Sequence, residues 1–241
     1  MDTRSQSPTR LLIVEDDEAT STRLLDHFSS PKYVTTTVSD ADAALRYLLQ
    51  PPGYDVVLLS VTLPGKSGFD LLDAAEQQSI EASFLLLSDQ DCLADKLHGF
   101  DLGADDYIVT PCALEELEAR IYAVQSRRSP SSSTPNGPQV YDFDDLTINV
   151  ASHTCVRGGR RISLTSLEFE ILSYLVEHRG DVVPRDELRD AVWGSRNGIC
   201  LRTIDRHVAK IREKLEYDPE RPAYLQTVYG KGYEFACVEY A

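Results

Sequence analysis

No stretch of this chain is apolar for long enough to cross a bilayer as a helix. The first ten residues, MDTRSQSPTR, lack the apolar centre of a secretory signal. These two absences predict a cytoplasmic protein with no membrane partner. The five cysteines, Cys92, Cys112, Cys155, Cys200 and Cys237, are odd in number and never form a CxxC pair. No His–Cys cluster has zinc-ligand spacing, so neither a disulfide framework nor a metal site is expected. In a reducing compartment the thiols read as small, mostly buried residues. A Gly-rich phosphate loop, a Ser-His-Asp arrangement and a metal triad are all missing, which argues against an enzyme and predicts no cofactor.

What the chain does have is ordinary globular composition, 42% hydrophobic and 26% charged over 241 residues. That length suits one or two domains. The net charge of −15 opposes a protein that coats nucleic acid, but it is unevenly spread. Residues 1–128 hold 22 acids and 10 bases, a net −12. Residues 129–241 hold 17 acids and 14 bases, a net −3, so a basic face can exist there. Between the halves lies SRRSPSSSTPNGP, with three prolines, five serines and no apolar residue. Such a segment buries nothing and predicts a flexible linker over 126–138, dividing the chain into domains at 1–125 and 139–241.

The first half alternates short apolar runs with helical patterns. The runs Leu11–Val14, Val56–Leu59, Phe84–Leu87 and Tyr107–Val109 read as buried strands. Helices are predicted over Ser21–Phe28, Ala41–Leu49, Phe69–Gln77, Asp91–Leu102 and Leu114–Gln125. Alternation on this scale implies a parallel α/β sheet, which places function at the carboxyl ends of its strands. Those ends carry Glu15 and Asp16, Ser60, Ser88 and Thr110.

The second half reads differently. Thr154–Val156 and Arg161–Leu164 flank Gly158-Gly159, a hairpin signal. Thr165 and Glu168 form a capping-box pattern ahead of the apolar helix Leu167–Glu177, which Gly180 closes. A helix follows Pro184 to about Trp193, another spans about Leu201 to Glu216, and LQTVYGKGYEF reads as a terminal hairpin. Three helices and a hairpin predict a winged helix-turn-helix. On the third helix Ile204, Val208, Ile211 and Leu215 share a narrow arc, with Arg202, Arg206 and Lys210 opposite. The apolar arc must dock, so the basic row is expected to face water and DNA.

These residues resemble response regulators of the OmpR/PhoB class along nearly the whole chain. The first half matches in LLIVEDD, DVVLLSVTLPGKSG and GADDYIVTP. The second matches in LTSLEFEILSYL, RDELRDAVWG, RTIDRHVAKIREKLE and YLQTVYGKGYEF. The resemblance implies a (βα)5 CheY-like receiver followed by a winged-helix domain. It implies binding to double-stranded promoter DNA, regulation of transcription, and a homodimer on direct-repeat half-sites.

Two departures stand out. Ser60 occupies the position where the family carries its phospho-acceptor aspartate, and Thr110 the position of its lysine. Glu15 and Asp16 match the family's acidic pair, Ser88 its switch hydroxyl and Tyr107 its switch aromatic. The aspartate accepts a phosphoryl group with help from Mg²⁺, and a serine hydroxyl is a poor substitute. The resemblance therefore predicts a receiver outside aspartyl phosphorylation. The alternatives are a phosphorelay target using Asp16 or Asp55, and a partner-binding module with weak DNA binding.

Further implied roles follow the same alignment. Lys96 with Glu116, and Asp106 with Arg120, match charge pairs of the family's dimer face, and Asp101 matches an acid whose basic partner is replaced by Tyr122. Arg202, Thr203, Arg206, His207, Lys210 and Arg212 are the candidate DNA contacts of the third helix, although His207 borders the apolar arc and either contacts a phosphate or packs. Lys231 supplies charge at the hairpin tip, where Tyr229 replaces the usual arginine. The loop 194–200, with Arg196, resembles the segment that touches RNA polymerase.

Overall fold

A computed structural model of the chain describes residues 7–128, 140–193 and 200–236. The backbone divides into two compact units, one of residues 1–92 with 102–125 and the other of 93–101 with 126–241.

The first unit is built on five parallel strands: β1 (Thr9–Val14), β2 (Tyr33–Val38), β3 (Val56–Ser60), β4 (Ser83–Ser88) and β5 (Asp106–Val109). Their order across the sheet is β2-β1-β3-β4-β5. The central strands β3 and β4 are buried along their whole length, as expected of apolar runs covered on both faces. Strand β2, YVTTTV, sits at the edge and went unread because its threonines break the apolar signal. Alternate residues Leu11, Ile13, Val56, Leu58, Leu85 and Leu87 point to one face. There they meet Leu24 and Phe28 beside α1 (Glu18–His27) and Leu117, Ile121 and Val124 of α5 (Leu114–Arg128).

The helices start where short polar side chains cap them. The Asp17 carboxylate accepts from Thr20 N at 2.8 Å to open α1. Asp40 does the same for Ala43 N at 2.7 Å, opening α2 (Ala41–Leu48). Ser67 and Asp70 form a reciprocal capping box on α3 (Gly68–Gln77). The helix α4 (Leu93–Asp101) lies between β4 and β5 in the chain. Helix α5 continues through Arg128, so the linker expected from Ser126 begins with three helical residues. Its positions 129–138 lie outside the described residues.

In the second unit, β6 (Val140–Phe143), β7 (Leu146–Asn149), β8 (Thr154–Arg157) and β9 (Arg160–Ile162) form an antiparallel sheet in sequential order. The expected Gly158-Gly159 turn joins β8 to β9, both glycines holding positive φ of 55° and 76°. Three helices follow: α6 (Ser166–Glu177), α7 (Arg185–Trp193) and α8 (Leu201–Leu215). The capping box read at Thr165 and Glu168 is present on α6. A second sheet joins β10 (Val182–Pro184), β12 (Gly232–Phe235) and β11 (Leu225–Val228), in that spatial order. Gly232 is obligatory here, because a Cβ on it would lie 1.9 Å from the Val183 carbonyl oxygen.

The expectation of mostly buried thiols fails. Cys155 is buried, but Cys112 is half-buried and Cys92 and Cys200 are exposed. They sit at helix margins and in loops rather than on core faces. Cys237 lies outside the described residues.

Candidate functional site: a strand-end cleft and a basic helix with its wing

The parallel register brings the sequence-selected residues of the first unit together. Val14 pairs with Leu59, Ser60 with Leu87, and Ser88 with Val109. Glu15 and Asp16, Ser60, Ser88 and Thr110 therefore rim one end of the sheet. They line a cleft of about 440 Å³. Sequence reasoning missed Arg23, Asp89 and Cys112, which line it too. Arg23 had a legible signal: with Thr20 and Leu24 it lies on the α1 turns following the Asp17 cap.

The cleft's polar groups are tied locally. The Ser60 hydroxyl donates to the Thr62 carbonyl at 3.1 Å. The Ser88 hydroxyl accepts from Gln90 N at 3.1 Å, and the Tyr107 hydroxyl donates to the Gln90 carbonyl at 3.2 Å. Tyr107 is buried, so it packs rather than projecting into water. Glu15 accepts from Asp17 N at 3.1 Å. Burial raises its carboxyl above the ordinary value, with Asp16 and Asp17 adding to that and the backbone N–H groups opposing it. The Ser60 position is also fixed from behind, since a Cβ on Gly68 would come 2.3 Å from the Ser60 carbonyl oxygen. Among the described residues, no group of three or more His, Cys, Asp or Glu side chains could hold a metal ion.

The charge pairs expected across a dimer face are partly closed within one chain. Arg120 Nη1 meets Asp106 Oδ2 at 3.0 Å, and its Nη2 meets Glu116 Oε1 at 2.7 Å. Tyr122 is 72% exposed. Lys96 and Asp101 belong to the other unit.

The basic helix α8 departs from the expected one-sided layout. Arg202 and Arg206 are exposed, and so is Lys231 on the hairpin. Lys210 is only half-exposed and its ammonium is buried. Arg212 is committed elsewhere, donating to the Leu225 carbonyl at 2.8 Å and to Thr227 Oγ1 at 2.7 Å. Thr203, expected at the DNA, is buried instead, and His207 is buried too, which is the packing alternative of its two readings. Within this unit the Thr203 hydroxyl donates to Asp101 Oδ1 at 2.5 Å, and His207 Nε2 lies 3.1 Å from the Phe100 carbonyl. Burial pushes the His207 ring down to about 4, so it is neutral at pH 7. The apolar arc is therefore wider than four residues, and helical angle alone did not reveal what covers its margins. The hairpin tip projects Tyr229 at 93% exposure. The loop residues 194–199, including Arg196, lie outside the described residues.

The receiver domain family of response regulators matches residues 11–122. The C-terminal domain family of transcriptional regulatory proteins matches residues 159–235. The chain is 36% identical over 226 residues to the sensory transduction protein RegX3 of Mycobacterium tuberculosis, covering 94% of this chain and 98% of that one.

The chain belongs to the OmpR/PhoB-type response regulators.

The DNA-binding response regulator MtrA of Mycobacterium tuberculosis is 34% identical over 236 residues, covering 97% and 98% of the two chains. Among solved structures, a mutant of RitR superposes with a TM-score of 0.69 at 26% identity, over 94% of this chain and 98% of that one. This response regulator is thus a DNA-binding transcription regulator of the two-component family, with a receiver of five parallel strands and a winged-helix domain. No described helix is long and apolar enough to cross a membrane.

Proposed function

We propose that this regulator binds promoter DNA as a dimer on direct-repeat half-sites, and that aspartyl phosphorylation does not control its receiver. The observation that carries this reading is the end of β3. There Ser60 presents a hydroxyl bound to the Thr62 carbonyl, on a strand whose neighbour ends in Ser88 and whose outer partner leads to Thr110. An acyl phosphate requires a carboxylate, and a transferred phosphoryl group requires cationic partners. The remaining donor set is a weaker one for the divalent cation that accompanies this chemistry in the family. Beside the carboxylates of Glu15 and Asp16, the end of β3 offers a neutral hydroxyl committed to the Thr62 carbonyl, one anionic ligand fewer. Loss of the acid and of the lysine belong together, because a lysine buried without its anion is costly.

The substitute-acid reading has less support. Asp55 precedes β3 at the opposite end of the strand, and its carboxylate accepts from Arg10 N at 2.8 Å. On the DNA side, Arg202, Arg206 and Lys231 are the exposed cations of α8 and the hairpin. The reading extends to a cytoplasmic regulator that contacts RNA polymerase.

The test is incubation of the full-length protein with labelled acetyl phosphate and Mg²⁺. The expected result is no covalent label and an unchanged affinity for promoter DNA. A hydroxylamine-sensitive label on Asp16 or Asp55 would replace this reading with the substitute-acid one.

A further inference from the structure

The residue directly after α8 is Glu216, and its side chain is 1% exposed. The chain leaves the helix there, makes an excursion through Tyr217 to Pro222, and returns to the same carboxylate. Glu216 Oε1 accepts from Tyr224 N at 3.0 Å and Leu225 N at 2.8 Å, and Oε2 from Ala223 N at 3.1 Å. Leu225 is the first residue of β11. One buried carboxylate therefore joins the end of the basic helix to the start of the wing.

A second charge sits behind it. Arg157, the last residue of β8, is 8% exposed. Its Nη1 donates to the Leu215 carbonyl at the end of α8 and lies 3.6 Å from Glu216 Oε2. Its Nε donates to Asp145 Oδ2 at 3.0 Å, while Asp145 Oδ1 accepts from the Tyr224 hydroxyl at 2.8 Å. The Tyr217 ring covers the guanidinium, with its centroid 3.8 Å from Cζ. Charge-assisted bonds of this kind are directional, and the planar guanidinium fork holds several acceptors in fixed geometry.

We propose that Glu216, backed by Arg157, is the positioning residue that sets the angle between α8 and the β11–β12 wing. Through it the helix cations and Lys231 reach one DNA duplex at a fixed spacing. The inference rests on the reading above, in which α8 and the wing tip both touch DNA. The contribution is preorganisation: two contact elements already held at their bound spacing lose less conformational freedom on association. The hub touches no nucleotide itself, and its effect passes through the wing.

The experiment is a double-mutant cycle in the full-length protein, reading the slope of log affinity against log salt on a duplex carrying a single half-site, so that one protomer and one wing are counted. Lys231→Ala is expected to lower the slope by about one unit, the signature of one lost phosphate contact. Glu216→Gln, with cooperative unfolding retained, is expected to lower it by the same amount, and the double variant no further. A double variant losing about two units would overturn the proposal. So would a wild-type slope for Glu216→Gln. If Glu216→Gln does not fold, Arg157→Lys enters the same cycle, since it keeps the charge and loses the fork. Failure of both variants to fold overturns the proposal in favour of a purely structural hub. A wild-type slope for Lys231→Ala instead removes the wing contact, and the proposal with it.

Discussion

The strand-end cleft of the first unit and the charged hub of the second handle polar groups in opposite ways. The cleft holds hydroxyls: Ser60, Ser88 and Thr110 stand at its strand ends, and each bond found for Ser60 and Ser88 is to nearby backbone. The second unit buries full charges and pairs them. Lys214 Nζ lies 2.8 Å from Glu168 Oε2, a carboxylate 1% exposed that also accepts from Thr165 N. Arg157 is held by Asp145 and Glu216. Neutral hydroxyls tolerate loss of a partner because their desolvation cost is small. Buried ions do not, because the partner left behind has no solvent to turn to. The contrast is one of pairing: the cleft sets its strand-end hydroxyls beside the charged side chains of Glu15, Asp16, Asp17, Arg23 and Asp89, whereas the second unit buries its charges in bonded pairs.

The comparison breaks most readily at the buried pair. Lys214→Ala strands the Glu168 carboxylate against the Thr165 cap. It is expected to destabilise the protein by roughly 3–5 kcal/mol, read from denaturant midpoints. A loss below about 1 kcal/mol would place this pair with surface salt bridges and erase the contrast.

A pH titration sharpens it. The His207 ring is pushed down to about 4 in the folded chain, whereas an unfolded histidine titrates near 6.5. The unfolded chain therefore binds more protons between those values. Stability is full above about pH 6.5 and is lost as the pH falls towards 4, by about 3 kcal/mol for this group. Denaturation curves of the protein and of His207→Gln should differ in slope over that window and run parallel above pH 7. Parallel curves throughout would contradict the buried, neutral ring.

The smallest effect is expected in the cleft. Ser60→Ala removes one neutral donor to the Thr62 carbonyl and should cost at most about 1 kcal/mol. It should leave DNA affinity unchanged. A larger loss in thermal unfolding, or a change in DNA affinity, would show that this hydroxyl does more than end the strand.

Much of this architecture could be read from the residues, and the gaps have physical causes. The buried strands β1, β3, β4 and β5 announce themselves because covered parallel strands are continuously apolar. Strand β2 does not, since Thr35, Thr36 and Thr37 look like loop, and neither do β6 and β7, whose acids Asp142, Asp144 and Asp145 mask a two-residue period. The cleft was legible because strand ends are fixed by topology. The basic face of α8 was legible only in part. A helical wheel gives direction but not cover: it points Lys210 to water, leaves Thr203 among the DNA candidates and His207 open between phosphate and core, and does not show Arg212 bracing Leu225 and Thr227. The Glu216 hub was invisible, since three backbone N–H groups carry no sequence signal.

Gly232 has a consequence for retargeting the protein. Its missing side chain lets β12 lie against Val183 so closely that the base of the wing cannot be rebuilt with any larger residue. Three positions away, Tyr229 stands in open solvent, and no Cβ on the intervening Gly230 would meet another atom. The hairpin thus has a locked root and an editable tip. A library varied at Tyr229 and Lys231 alone would change the hairpin tip without disturbing the scaffold beneath, and Gly232 marks where such a library must stop.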